Sequence, residues 1–411
     1  MRKLTPRIRN GKYSMFHQRT VLVMLFALCS IAVCFPVQPL ADNTDTMFNQ
    51  PKPSLALTIH FDGSELYVGD KIPIVFVIKN EGTTQYKYGD RNYDRSGRMP
   101  EYELSASDKQ KNAVSDPRAK RQGGPGGGLT GEGRLAPGES YEKTVALNRW
   151  ALLTNPGVYK VTGVYHLEGN WPGITSQSIW IKLLPRSDDE MLGYITDLSV
   201  QLADAYDGQA RAALVRKLMY TCDRRIVPSL IEAMYKRDAA SYWAGEAFHY
   251  YLPDDREIGN ALLIAAEKRG LAGGMFWTLK ECAFNGEKIK PLIEVSLSPK
   301  HPHAWPEGAL AAQQYPADSF TPRLIAIATD PKSTARQQAI YALALNRTDE
   351  SVATLKKLLR EPAPPKPKGQ TIRQTTENAI RAAYLYRGNS KGRRLRKDDF
   401  DARYQKPKDI R

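Results

Sequence analysis

Apolar residues follow one period up to about residue 184 and a different one beyond it. In Leu55-Ala56-Leu57-Thr58-Ile59 they alternate loosely. Ile72, Ile74, Phe76 and Ile78 alternate with Pro73, Val75 and Val77, which predicts a central strand that is apolar on both faces. Asn80-Glu81-Gly82 ends that strand as a turn. Tyr141, Lys143, Val145 and Leu147 follow a second turn, Ala136-Pro137-Gly138-Glu139, and Asn155-Pro156-Gly157 opens the β-branched and aromatic run Val158 to Tyr165. Residues 174–183, with Ile179, Trp180 and Ile181, close the series. Six or seven short strands punctuated by Gly and Pro predict an antiparallel β-sandwich over 54–185, after a polar lead at 42–53. The alternation lapses between Ser107 and Leu135, and Gln122-Gly123-Gly124-Pro125-Gly126-Gly127-Gly128 within it predicts a flexible loop over about 107–135. A phosphate-binding loop would need Gly-Lys-Ser/Thr opening a helix, whereas Gly128 leads into Leu129-Thr130.

From Ser187 onward the strand signals vanish and a repeat takes over. An apolar residue opens one helix per unit at Ile226, Ile258, Ile289, Phe320 and Val352, with steps of 32, 31, 31 and 32 residues. Leu230, Leu262, Ile293 and Leu324 lie one turn on, with Leu355 in that role in the last unit. Pro228, Pro291 and Pro322 fall two residues after their openers, which places them in a first helical turn that has no partner for an N–H. Asp223, Asp255, Asp318 and Asp349 stand just ahead, where a carboxylate suits a helix N-terminus. Another Ala-rich helix precedes each of these. A two-helix unit of this size cannot bury both faces alone, so an all-α superhelical stack is expected over 186–388, with five to six units.

Two resemblances follow from these residues. Asn80-Glu81-Gly82, Leu135-Ala136-Pro137-Gly138-Glu139 and Pro156-Gly157-Val158-Tyr159 resemble the turns of immunoglobulin-like modules in exported bacterial proteins, without the inter-sheet cysteines of antibody domains. Pro228-Ser229-Leu230-Ile231, Pro291-Leu292-Ile293, Pro322-Arg323-Leu324-Ile325 and the run Ala335 to Leu343 resemble HEAT repeats. That resemblance implies an armadillo-like α-solenoid whose second helices line a concave surface, and it implies protein binding rather than chemistry. Phycobilin lyases carry similar short repeats and are the enzymatic relatives to weigh.

Charge narrows the function classes once it is located. The net charge is +15, but residues 1–41 hold six basic side chains and no acid, and 363–411 hold fourteen basic against five acidic, so the span between is neutral. A neutral body argues against a nucleic-acid face. The basic leader precedes an apolar run from Val21 to Phe35, broken by Pro36, with Ala41 at a cleavage point. It predicts a signal peptide over 1–41 and export, periplasmic or secreted, with an uncleaved membrane anchor as the alternative. Ile31-Ala32-Val33-Cys34 only faintly resembles a lipoprotein box, Val33 being too bulky. No second stretch reaches spanning length. The basic tail at 389–411, with Lys391, Arg393, Arg394, Arg396 and Lys397, reads as a solvated extension or as a contact for an anionic envelope component.

Candidate chemistry is sparse. Cys222 and Cys282 fall in units one and three, roughly 15–20 Å apart for two layers of packed helices. A disulfide needs Cα atoms within about 7 Å, so two free, mostly buried thiols are expected. His301-Pro302-His303 lacks a third ligand, and neither cysteine has an orienting motif with His249. Tyr242, Trp243, Phe248, Tyr250 and Tyr251 cluster in one unit; most should be core, with Trp243 and Tyr250 as the candidate partner contacts. No catalytic, metal or cofactor site is expected. The reading is a non-enzymatic binding or scaffold protein with protein partners; the alternatives are a lyase-type enzyme and a protease-inhibitor-like module.

Overall fold

The computed structural model describes residues 53–385, apart from 62, 64, 92–97, 120–129, 168–170, 253–255, 283, 285 and 362–370. The expected signal segment, Asp255, the Gly-rich run 122–128 and the basic tail lie outside these residues. Strands occupy the first part: β1 (Leu55–His60), β2 (Leu66–Tyr67), β3 (Pro73–Asn80), β4 (Tyr86–Arg91), β5 (Tyr102–Ser107), β6 (Thr130–Leu135), β7 (Ser140–Ala146), β8 (Gly157–Tyr165), β9 (Ile174–Thr175) and β10 (Ile179–Leu184). They form a sheet ordered β1-β3-β7, a second ordered β2-β10-β8-β5 with β9 beside β8, and a pair β4-β6. Every pairing is antiparallel except the short one between β2 and β10.

β3 is the central strand that its two-sided apolar pattern calls for, with Ile74, Val75, Phe76 and Ile78 buried. The two larger sheets close on each other where Phe76 meets the edge of Tyr102 at 5.1 Å; within the second sheet Tyr102 lies 5.5 Å from Tyr165. Gly163 marks a close approach between them: a Cβ there would stand 2.8 Å from Ile59 Cγ2 and 3.0 Å from the Phe76 ring. The stretch 107–135 is not one loop. Ala113 bridges to Ser107, residues 117–119 turn, and β6 pairs with β4 from Thr130.

Helices fill the remainder: α1 (Asp188–Asp204), α2 (Gly208–Tyr220), α3 (Val227–Met234), α4 (Ala239–Tyr250), α5 (Arg256–Arg269), α6 (Met275–Glu281), α7 (Gly286–Leu297), α8 (Trp305–Gln314), α9 (Thr321–Thr329), α10 (Arg336–Asn346), α11 (Asp349–Leu358) and α12 (Ile372–Leu385). Their starts are chemically marked. Ser187 and Glu190 form a capping box on α1, and Asp207, Asp238 and Thr348 cap α2, α4 and α11. All five openers are buried, and Leu230, Leu262, Ile293, Leu324 and Leu355 are fully so. Pro228 and Pro322 sit in first turns as expected. Pro291 does not: α7 begins five residues earlier at Gly286, so this proline lies inside the helix. Even-numbered helices pack on even (α2 on α4, α4 on α6, α8 on α10, α10 on α12), and odd on odd (α3 on α5, α5 on α7, α9 on α11).

The one-turn partner of each opener has no room to be smaller. Leu262→Ala should cost about 2–5 kcal/mol by emptying a site that neighbouring helices cannot fill. Urea unfolding followed by circular dichroism should show that loss, while Ile264→Ala, at an exposed position of the same helix, should change stability by no more than about 0.5 kcal/mol.

Candidate functional site

The strand-rich and helix-rich parts belong to one compact unit, and their junction is built on arginines. A short 3-10 turn, Leu147–Arg149, follows β7. Asn148 fixes it, accepting from Ile72 N at 2.8 Å and donating to Asp70 O at 2.9 Å. The turn sends Arg149 to α4, where its guanidinium lies 4.4 Å from the Trp243 ring and only 4% of the residue remains exposed. Arg216 of α2 lies 5.1 Å from the same ring. Arg118 pairs with Glu246 of α4 and sits 4.5 Å over Tyr250. Tyr251 donates to Asn148 O at 3.1 Å, and its ring meets that of Tyr220.

Burial alone would pull the Arg149 guanidinium down. The oxygens of Tyr251 and Tyr220 and the Glu246 carboxylate outweigh that and hold it above its ordinary value. Burial, then the Glu246 charge, pushes the Tyr242 phenol up, against the opposing pull of Arg118 and Arg149. At neutral pH Arg149 is therefore charged, while the Tyr242 and Tyr251 phenols, both pushed up chiefly by burial, are neutral.

Trp243 and Tyr250, read from the sequence as partner contacts, are contacted here by arginines of the same chain. Lys391, Arg393, Arg394, Arg396 and Lys397 lie outside the described residues. Arg118 and Arg149 were missed, and no local pattern marks them: each is one arginine in an irregular stretch, meeting an aromatic roughly a hundred residues away.

Beyond the junction, exposure divides by layer. No residue of α4, α8 or α10 is exposed, and among the described side chains of α6 only Lys280 is. The odd-numbered helices carry Glu232, Lys268, Glu294, Arg323 and Lys356 in the open. Trp277, Leu310, Gln337 and Tyr341 are half-buried along the sheltered layer. The HEAT resemblance implies a binding surface on the second helix of each unit, the odd series, yet the even series is the sheltered one.

Away from the junction, three displaced groups are of types that do chemistry: a carboxyl, an imidazole and a thiol. Burial pushes Glu307, in the first turn of α8, up to about 7, against the nearby charge of Arg237 and the N–H of Gly274. Its Oε2 is buried without a hydrogen-bond partner. Burial lowers His303, whose Nε2 contacts Arg269 O at 2.9 Å. The rings of His301 and His303 are 5.7 Å apart, and among the described residues no cluster of three or more His, Cys, Asp or Glu could hold a metal. Cys222 and Cys282 form no disulfide with each other and are each largely covered, as expected; desolvation pushes the Cys222 thiol up to about 12. A groove of about 400 Å³ beside β5 contains none of these groups.

No family model matches the chain, and no curated protein matches it. Among solved structures, the complex of CpcE and CpcF of phycocyanin lyase from Nostoc sp. PCC7120 aligns with 47% of this chain and 83% of its own, at 15% identity and a TM-score of 0.22. At that score the likeness carries no weight for fold or chemistry.

Removing Glu246 takes the acidic partner from Arg118 and leaves three arginines, Arg118, Arg149 and Arg216, against Tyr250 and Trp243. Glu246→Leu should cost about 3–5 kcal/mol, and the double change with Arg118→Met should recover much of it; urea unfolding of the four proteins measures the coupling. Glu307 supplies a pH signature. Its folded pKa is raised, so its contribution is complete below about 4.3 and is lost as pH rises through about 7. Glu307→Gln should therefore gain about 2–3 kcal/mol relative to the parent between pH 5 and 8, read as the difference between their urea midpoints.

Proposed function

We propose that this chain is an exported, non-catalytic binding protein. In this reading residues 54–185 are an immunoglobulin-like β-sandwich and 186–388 a HEAT-type α-solenoid, with a signal peptide before them and a basic extension after. The sandwich is clamped to the N-terminal end of the solenoid, and the even-numbered helices beyond the clamp receive a protein partner. The observation that supports this is the division of exposure: α8 and α10 have no exposed residue, while the odd-numbered helices carry many. A sheltered surface mixing Trp277, Leu310 and Tyr341 with Gln337 and Gln314 has the aromatic and uncharged polar character of interface cores. Stacked repeats present such surfaces as extended concavities.

Among the described residues no helix is long and apolar enough to cross a membrane. Lys391, Arg393, Arg394, Arg396 and Lys397 would add attraction to an anionic envelope component. The alternative, a lyase-type enzyme, would draw on Glu307, whose pKa near 7 suits proton transfer.

The full chain, tagged and purified from its native envelope after crosslinking, tests the reading. One stoichiometric protein should accompany it, and Leu310→Lys with Tyr341→Lys should reduce recovery at least tenfold, about 1.4 kcal/mol of binding, with the thermal transition retained. A bound chromophore or metabolite with no protein partner would replace this reading by the enzymatic one.

A further inference from the structure

β5 is the edge strand of its sheet, and the direction of its backbone groups can be read from its neighbour. Gly163 on β8 receives Ser176 N on its carbonyl at 2.9 Å and donates its N–H to Ser176 Oγ at 3.0 Å. Both groups of Gly163 therefore point away from β5. Leu104 is the register partner of Gly163, so its own N–H and C=O point away from β8, toward the outer edge. The positions on either side in that set are closed: Tyr102 N donates to Met99 O at 3.1 Å, and Ala106 O accepts from Val114 N at 2.9 Å. Between those two closures the N–H and C=O of Leu104 have no hydrogen-bond partner among the described residues. Leu104 is 3% exposed, and buried backbone groups are nearly always paired. The groove of about 400 Å³ opens at this point, lined by Arg98, Met99, Leu104, Ala106, Val114 and Trp150.

We propose that this groove takes an extended segment of a partner polypeptide, added as a strand to β5. The open stretch runs from Tyr102 to Ala106, about 14 Å at 3.4 Å per residue. It is stopped by a turn at Met99 and by the bridge from Ser107 to Ala113, with Val114 N on Ala106 O. A second copy of β5 brings the same two stops with it, so the space fits a chain terminus or a loop rather than another sheet edge. The chemistry of the segment follows from the pleat. The residue opposite Leu104 exchanges two hydrogen bonds with it and turns its side chain toward Met99, Val114 and Trp150, so it is apolar. Its neighbours turn to the face of Glu103 and Ser105, both exposed, so they are polar. Arg98 and Asp116 pair with each other in the same groove, and the exposed Glu103 carboxylate contacts His166 Nε2 at 2.9 Å, so the groove's charged groups are engaged within the chain.

The test uses the full chain and residue-resolved amide exchange. The probes are a blocked pentapeptide with valine at its centre and threonine and serine around it, and the same peptide N-methylated on the valine. In the free protein the Leu104 amide should exchange at least about a hundredfold faster than those of Glu103 and Ser105, which face β8. Millimolar unmodified peptide should slow Leu104 at least about tenfold, and the methylated peptide should leave it unchanged. A Leu104 amide already as slow as that of Ser105 overturns the proposal. So does a rate that the unmodified peptide fails to move, or that both peptides slow equally. Loss of the solenoid partner in the crosslinking experiment would leave this result untouched, because the two surfaces share no residue.

Discussion

The arrangement of this molecule depends on keeping one cation, Arg149, away from water. Desolvating a guanidinium costs several kcal/mol, and here the cost is offset by a Trp243 face, by phenol oxygens and by the Glu246 carboxylate. None of those groups lies in the strand-rich part that supplies the arginine. The charge is stable only if α4 is in place, and α4 would present Trp243 and Tyr250 to solvent if the strands were not. Each half thus completes the other. Asn148 makes the coupling directional, because its bonds to Ile72 and Asp70 fix where the arginine points.

Legibility in the sequence followed the length scale of the signal. The 31- and 32-residue steps place one buried side chain per unit, and every opener and its one-turn partner is indeed inside. β3 and β8 were legible because two-sided apolar and β-branched runs have few other uses. β4, β5 and β6 were not. Thr130-Gly131-Glu132-Gly133-Arg134-Leu135 has no apolar alternation, and Gly133 is a glycine because the Tyr88 ring lies over it. That reason exists only once β4 and β6 are paired. Arg118 and Arg149 were invisible for a related cause: a cation–aromatic contact between distant segments has no local period. Pro291 shows the limit of the repeat rule, since a helix that starts earlier carries a first-turn residue into its interior.

The proposed use of the molecule rests on unequal layers. The odd-numbered helices are solvated by charged side chains, while α6, α8 and α10 keep aromatic and amide groups half-covered. A displaced carboxylate at Glu307 sits within the sheltered series, so any event that covers or hydrates α8 changes its protonation by linkage.

The clamp at Arg149 also sets a distance. The strand-rich half meets α4 through this clamp within one compact unit, so the clamp fixes how far the β5 edge lies from the sheltered helices wherever it is made. Under the proposed use, a partner whose span matches it would meet the second surface as an intramolecular neighbour once the first is engaged. Two contacts used together would then select by geometry: a partner of the wrong span would keep only one of them, however well its residues match either surface.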